Sequence, residues 1–144
     1  MNNSLQHLLL CSLVIALSLP AQAVEPTILT GTVTHVRDGD TIAVGSVLVR
    51  LNGVSAPELK KPLGPQSKEF LPRLVDGKSV RCELDGPKTY DHLVGTCYLE
   101  GKDISISAIE AGLALDCPPY SGGRYASYEI NVVAAQVKLP KYYR

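Results

Sequence analysis

Tryptophan is absent from the 144 residues, and no apolar stretch after residue 23 is long enough to cross a membrane. Those two absences fit a soluble product. Charge of one sign is not in excess either: 14 Lys and Arg balance 14 Asp and Glu. The balance excludes a basic nucleic-acid coat protein, an acidic tail and a disordered charged chain. It also argues against tight nonspecific DNA binding driven by net charge alone. No Cys-x-x-Cys or His-rich spacing points to zinc or haem. No internal repeat or low-complexity tract is visible, so a solenoid is excluded.

The first 23 residues contain no Asp, Glu, Lys or Arg, and Leu8 to Leu19 is a nearly unbroken apolar run. Pro20 then leads into Ala21-Gln22-Ala23, a small-x-small pattern. Residues 1–23 therefore read as a secretory signal peptide cleaved after Ala23, and the expected product, residues 24–144, is periplasmic or secreted. A chain of 121 residues supports one hydrophobic core and one domain. Three cysteines remain in it: Cys82, Cys97 and Cys117. An exported protein meets an oxidising compartment, so one disulfide is expected from three candidate pairings.

Ile28 to Val36, Thr41 to Val44 and Val47 to Val54 read as three consecutive strands, separated by Asp38-Gly39-Asp40 and Gly45-Ser46. Gly39 is expected to supply a positive φ. A helix opens at Gly64-Pro65 and stops at Asp76-Gly77, with Pro72 expected to kink or shorten it. Ser79 to Leu84 and Leu93 to Leu99 read as two more strands. If they pair antiparallel, Cys82 and Cys97 face each other, which favours that disulfide. Asp103 is a candidate N-cap for a helix from Ile104 to Ala111. Pro118-Pro119 and Gly122-Gly123 bound a loop. Tyr125, Tyr128 and Val132 at helical spacing predict a last helix to about Val137, with both tyrosines in the core. Five short strands with a helix after the third predict an α+β fold, a five-stranded OB-fold β-barrel with three helices.

The chemistry concentrates in Arg37-Asp38-Gly39-Asp40-Thr41, then Arg50-Leu51, then Ser55-Ala56-Pro57-Glu58. Two carboxylates share a tight turn, a third follows a proline, and an arginine lies on the strand between. Hard oxygen ligands near a cationic side chain suit phosphodiester hydrolysis. With Gly64-Pro65, Leu93-Val94-Gly95 and Ala111-Gly112-Leu113-Ala114, this ordered set resembles the staphylococcal nuclease (thermonuclease) family, from about Thr27 to about Gln136. That family hydrolyses DNA and RNA, typically with calcium. The resemblance implies the OB barrel and assigns roles by position. Asp40 falls on a metal ligand, Asp38 on a supporting carboxylate, and Ala56 on a backbone-carbonyl ligand. Glu58 falls on the residue that positions or deprotonates water, and Arg50 on the first phosphate-binding arginine.

Two positions depart from the family. Ser55 stands where the family has a second metal-ligand aspartate. His92 stands where it has a second catalytic arginine, and an imidazole lacks the guanidinium fork. It retains the capacity to act as a general acid toward the leaving oxygen. Tyr90, at the matched motif, is the candidate base-stacking residue. Lys60 and Lys61 are candidate contacts to the phosphate backbone, set against a plain solvated surface. The resulting expectation is an exported, calcium-dependent nuclease of reduced activity. It acts as a monomer on single-stranded DNA or RNA, with no membrane span. The alternatives are an OB module that binds nucleic acid without turnover, and an envelope or exopolysaccharide role of the kind assigned to some exported relatives.

Overall fold

The computed structural model describes residues 25–85 and 91–130. The proposed leader, Tyr90 and residues 131–137 of the expected last helix lie outside the described residues. Strand β1 (Thr27–Asp38) is long enough to serve two neighbours. Its first half pairs antiparallel with β5 (Ser79–Leu84), from Thr27↔Leu84 to Thr32↔Ser79. Its second half pairs with β2 (Thr41–Val44), with register shifts between Val33 and His35 and between Val36 and Asp38. β2 pairs with β3 (Val47–Leu51), and β5 with β6 (Leu93–Leu99). A parallel ladder between β3 and β6, with Arg50↔Val94 at its centre, closes these five strands into a barrel. Closure leaves no long free edge. Among the described residues the architecture is the expected α+β OB-type barrel with three helices.

The strand expected from Val47 to Val54 divides at Asn52-Gly53 into β3 and a two-residue strand, and two further two-residue strands were not expected. β4 (Val54–Ser55) pairs with β8 (Leu115–Asp116), and β7 (Lys102–Asp103) extends the sheet beside β6. Helix α1 (Gly64–Val75) runs unbroken through Pro72. The proline sits near its end, where the carbonyl it deprives belongs to exposed Lys68. Helix α2 (Ile104–Glu110) is N-capped by Asp103, whose Oδ1 accepts the Ser105 N–H at 2.8 Å. Residues read as a loop form the short helix α3 (Pro118–Ser121), with both prolines at its start, where a missing N–H costs nothing.

Val33, Ile42, Val49, Leu51, Leu71, Val75, Val80, Ile104 and Ile109 fill the barrel and the space beneath α1 and α2. Cys82 and Cys97 sit directly opposite on β5 and β6 and are joined by a disulfide across a separation of 15 residues. Tyr125 is buried and donates its hydroxyl to Asp103 Oδ2 at 2.8 Å, while the Arg124 guanidinium covers its ring. Tyr128 is exposed instead of core, because Ala126–Tyr128 makes a single 3₁₀ turn and helical spacing does not apply. Among the described residues no helix is long and apolar enough to cross a membrane.

Candidate functional site

The turn between β1 and β2 brings Asp38 and Asp40 to one end of the barrel. Gly39 has no positive φ. Its role is closeness: a Cβ there would collide with the Ser67 side chain on α1 and with Ala56 Cβ. The missing side chain lets the turn press against both, which carries Asp40 to the backbone of Ala56. Asp40 Oδ2 accepts the Ala56 N–H at 3.1 Å, and its backbone N–H donates to Asp38 Oδ1 at 3.2 Å. From β3, Arg50 Nη1 reaches Asp40 Oδ1 at 2.9 Å. Asp40 is only 5 % exposed. Burial pushes its carboxyl up to about 6, against the pull of Arg50; Asp38 pushes the same way as burial, and the Ala56 N–H opposes it.

The β1–β2 turn, β3 and β4 thus gather Asp38, Asp40, Arg50 and Ala56. Glu58 follows Pro57 in an exposed turn, where its carbonyl accepts the Lys61 N–H at 2.8 Å. Gly64 packs so tightly against that carbonyl that any Cβ would strike it. The Glu58 carboxylate has no hydrogen bond or ion pair among the described residues. Lys60 and Lys61 are exposed beside it. His92 immediately precedes β6, the strand closed against β3, so barrel closure brings the Arg50 and His92 segments to one end.

Two residues given no role from the sequence belong to this constellation. Arg37 Nη1 lies 2.8 Å from Asp91 Oδ2, and its Nε lies 3.5 Å from Asp38 Oδ2. The other oxygen of Asp91 meets His92 Nδ1 at 3.0 Å. An ionised carboxylate only accepts, so Nδ1 carries the proton and Nε2 is left for a ligand. The His92 hydrogen bond, with the Arg37 charge beside it, holds the Asp91 carboxyl below its ordinary value. The only hint in the sequence was their adjacency to the two motifs.

The donor set fits a hard cation in kind: a buried carboxylate, a second carboxylate in the same turn, the Ser55 hydroxyl and the Ala56 carbonyl. It is thin in number. Among the described residues no three of His, Cys, Asp or Glu lie close enough together to share a metal. On β8, Asp116 is 2 % exposed, and neither carboxylate oxygen has a partner among the described residues. Next to it, Cys117 is free and buried, and burial pushes its thiol up to about 11, which keeps it neutral and unreactive.

Residues 48–138 match the model of the family described as staphylococcal nuclease homologue. The succinoglycan biosynthesis protein ExoI of Rhizobium meliloti is 35% identical over 119 residues, covering 74% of this chain and 61% of that protein. An uncharacterised endonuclease of Haemophilus influenzae is 31% identical over 94 residues, 62% of this chain and 53% of the relative. Another, from Escherichia coli O157:H7, is 34% identical over 89 residues, 58% of each chain. This chain therefore spans between about half and three-fifths of these relatives.

Proposed function

The chain belongs to the staphylococcal nuclease homologue family, and we propose that it is an exported, metal-dependent nuclease hydrolysing phosphodiesters of single-stranded DNA or RNA. The observation that carries this reading is the buried Asp40, paired with Arg50 and set beside Asp38 at the mouth of the barrel. A pure binder has no evident use for a carboxylate whose burial opposes its own ionisation.

In this reading Asp40, Asp38 and the Ala56 carbonyl hold calcium, which, when bound, polarises the phosphoryl oxygens. Arg50 neutralises charge developing on the phosphate. Glu58, exposed and unpaired among the described residues, takes the proton of the attacking water. His92, held through Nδ1 by Asp91, turns Nε2 toward the leaving oxygen. Tyr90 stacks on a base, and Lys60 and Lys61 follow the backbone. Residues 1–23 act as the leader and residues 24–144 as a periplasmic or secreted monomeric domain. The buried disulfide suits an oxidising compartment.

A second reading, nucleic-acid binding without turnover, draws on the thin donor set around Ser55. An envelope role rests only on the name of the Rhizobium relative. The deciding experiment expresses the full chain with export, determines the mature N-terminus by mass, and assays single-stranded DNA and RNA in calcium or chelator. Calcium-dependent products that fall by ~10²–10⁴ in Glu58→Gln support the enzyme. A folded, processed protein that binds oligonucleotide and yields no products would shift the reading to the binder.

A further inference from the structure

We propose that Arg37 is a second phosphate-contacting arginine of this site, supplying the guanidinium fork that position 92 does not. The inference rests on the nuclease reading above and adds to it a residue outside the matched family positions.

The local backbone comes first. On β1, Val36 pairs with Ile42 and Asp38 pairs with Thr41, so Arg37 is an extra residue with no partner on β2. A bulge of this kind breaks strand alternation and re-aims the extra side chain. Here it turns Arg37 to the same mouth as Asp38 instead of the opposite sheet face. The guanidinium then bridges the two halves of the site. Nε faces Asp38 at 3.5 Å, and Nη1 faces Asp91 at 2.8 Å. Asp91 is also the residue that holds His92. Arg37 and His92 thus hang from the two oxygens of one carboxylate, and the fork stands beside position 92. Nη2 has no partner among the described residues.

The pairing itself suits exchange. Asp91 is 63 % exposed and the Arg37 side chain 36 %. Such solvent-screened pairs contribute little to stability, so a structural purpose alone explains the bulge poorly. A phosphodiester offers the same guanidinium two oxygens in a matching plane. Arg37 releases Asp91 and takes the phosphate, with Asp38 keeping its Nε side in place.

The test uses the mature protein, a fluorescein-labelled single-stranded oligonucleotide and calcium. Arg37→Ala should lower kcat/KM by ~10²-fold. It should also flatten the dependence of log affinity on log salt by about 0.7, one phosphate contact on a single strand. Arg37→Lys should keep the salt slope and lose most of the rate, because a point charge lacks the fork. In the Arg37→Ala protein, His92→Arg should return the salt slope toward the wild-type value, a binding readout that does not depend on a leaving-group acid. Unchanged salt slope and rate in a folded Arg37→Ala protein would overturn the proposal. So would a lost rate with an unchanged salt slope. If the wild type binds but never cleaves, the nuclease reading falls and the slope alone decides Arg37. If it does neither, both fall.

Discussion

The buried Asp40 makes a quantitative claim about stability that needs no enzymology. Its carboxyl moves from an ordinary 3.8 to about 6 on folding, with burial as the largest cause. The folded protein therefore holds a proton more tightly than the unfolded chain between those two values. Stability from this group is fully present below pH 3.8, falls as pH rises toward 6, and stays lost above it. The difference corresponds to roughly 3 kcal/mol at neutral pH. Other groups titrate in the same window, so the comparison is with Asp40→Asn. Any fixed cost of the amide, which mispairs with either Arg50 or the Ala56 N–H, cancels when the two proteins are followed together. Urea unfolding in chelator from pH 3.5 to 7.5 should show wild type losing roughly 3 kcal/mol relative to the variant, mostly before pH 6.5. Calcium at pH 7.5 should return part of that loss in wild type only, by binding the folded state. A gap that stays constant with pH would refute the reasoning. A gap that opens the other way would mean that Arg50, with 27 % of its side chain exposed, outweighs burial.

Ser55→Asp puts a third carboxylate beside the Asp38–Asp40 pair at a position 7 % exposed. Without calcium the variant should be less stable by about 1–3 kcal/mol, and by calorimetric titration it should bind calcium at least ~10-fold more tightly; unchanged affinity would place the cation elsewhere. Replacing both Cys82 and Cys97 by Ala opens a loop closed across 15 residues and should cost about 3 kcal/mol in urea unfolding. An unaltered midpoint would show that packing alone holds β5 to β6.

The barrel was legible because its strands are long enough for alternation to register. Thr41 to Val44 and Ser79 to Leu84 carry β-branched residues between Gly and Asp turns, and their bounds in the structure match. The two-residue strands β4, β7 and β8 have no period to read. Pro118-Pro119 looked like a break, although proline at the first helical position is favourable, and a four-residue helix leaves little other trace. Tyr128 shows the opposite failure, since a three-residue spacing implied a helix that the single turn at Ala126–Tyr128 does not supply. Gly39 carried the right signal with the wrong cause: steric closeness to Ala56 and Ser67, not turn conformation.

The site was legible where one motif held it and opaque where tertiary closure did. Asp38 and Asp40 are two residues apart, and their contact follows from the turn. Arg37 and Asp91 are 54 residues apart, and only the β1 bulge together with the β3–β6 closure makes them neighbours. The outcome is a row of charged groups: Arg50, Asp40, Asp38, Arg37, Asp91, then the His92 ring. Two guanidinium groups meet three carboxylates along it, and Glu58 nearby stands with the exposed Lys60 and Lys61. Along the row itself three carboxylates outnumber two guanidinium groups, and that local excess of negative charge opposes a polyanionic strand. On the proposed reading, Asp40 and Asp38 would hold a divalent cation whose charge would turn the row net positive, and Arg37 and Arg50 would then exchange carboxylate for phosphate. Filling the cation site would then do more than polarise one bond, since Arg37 and Arg50 would become available to the substrate only when their carboxylates are engaged elsewhere.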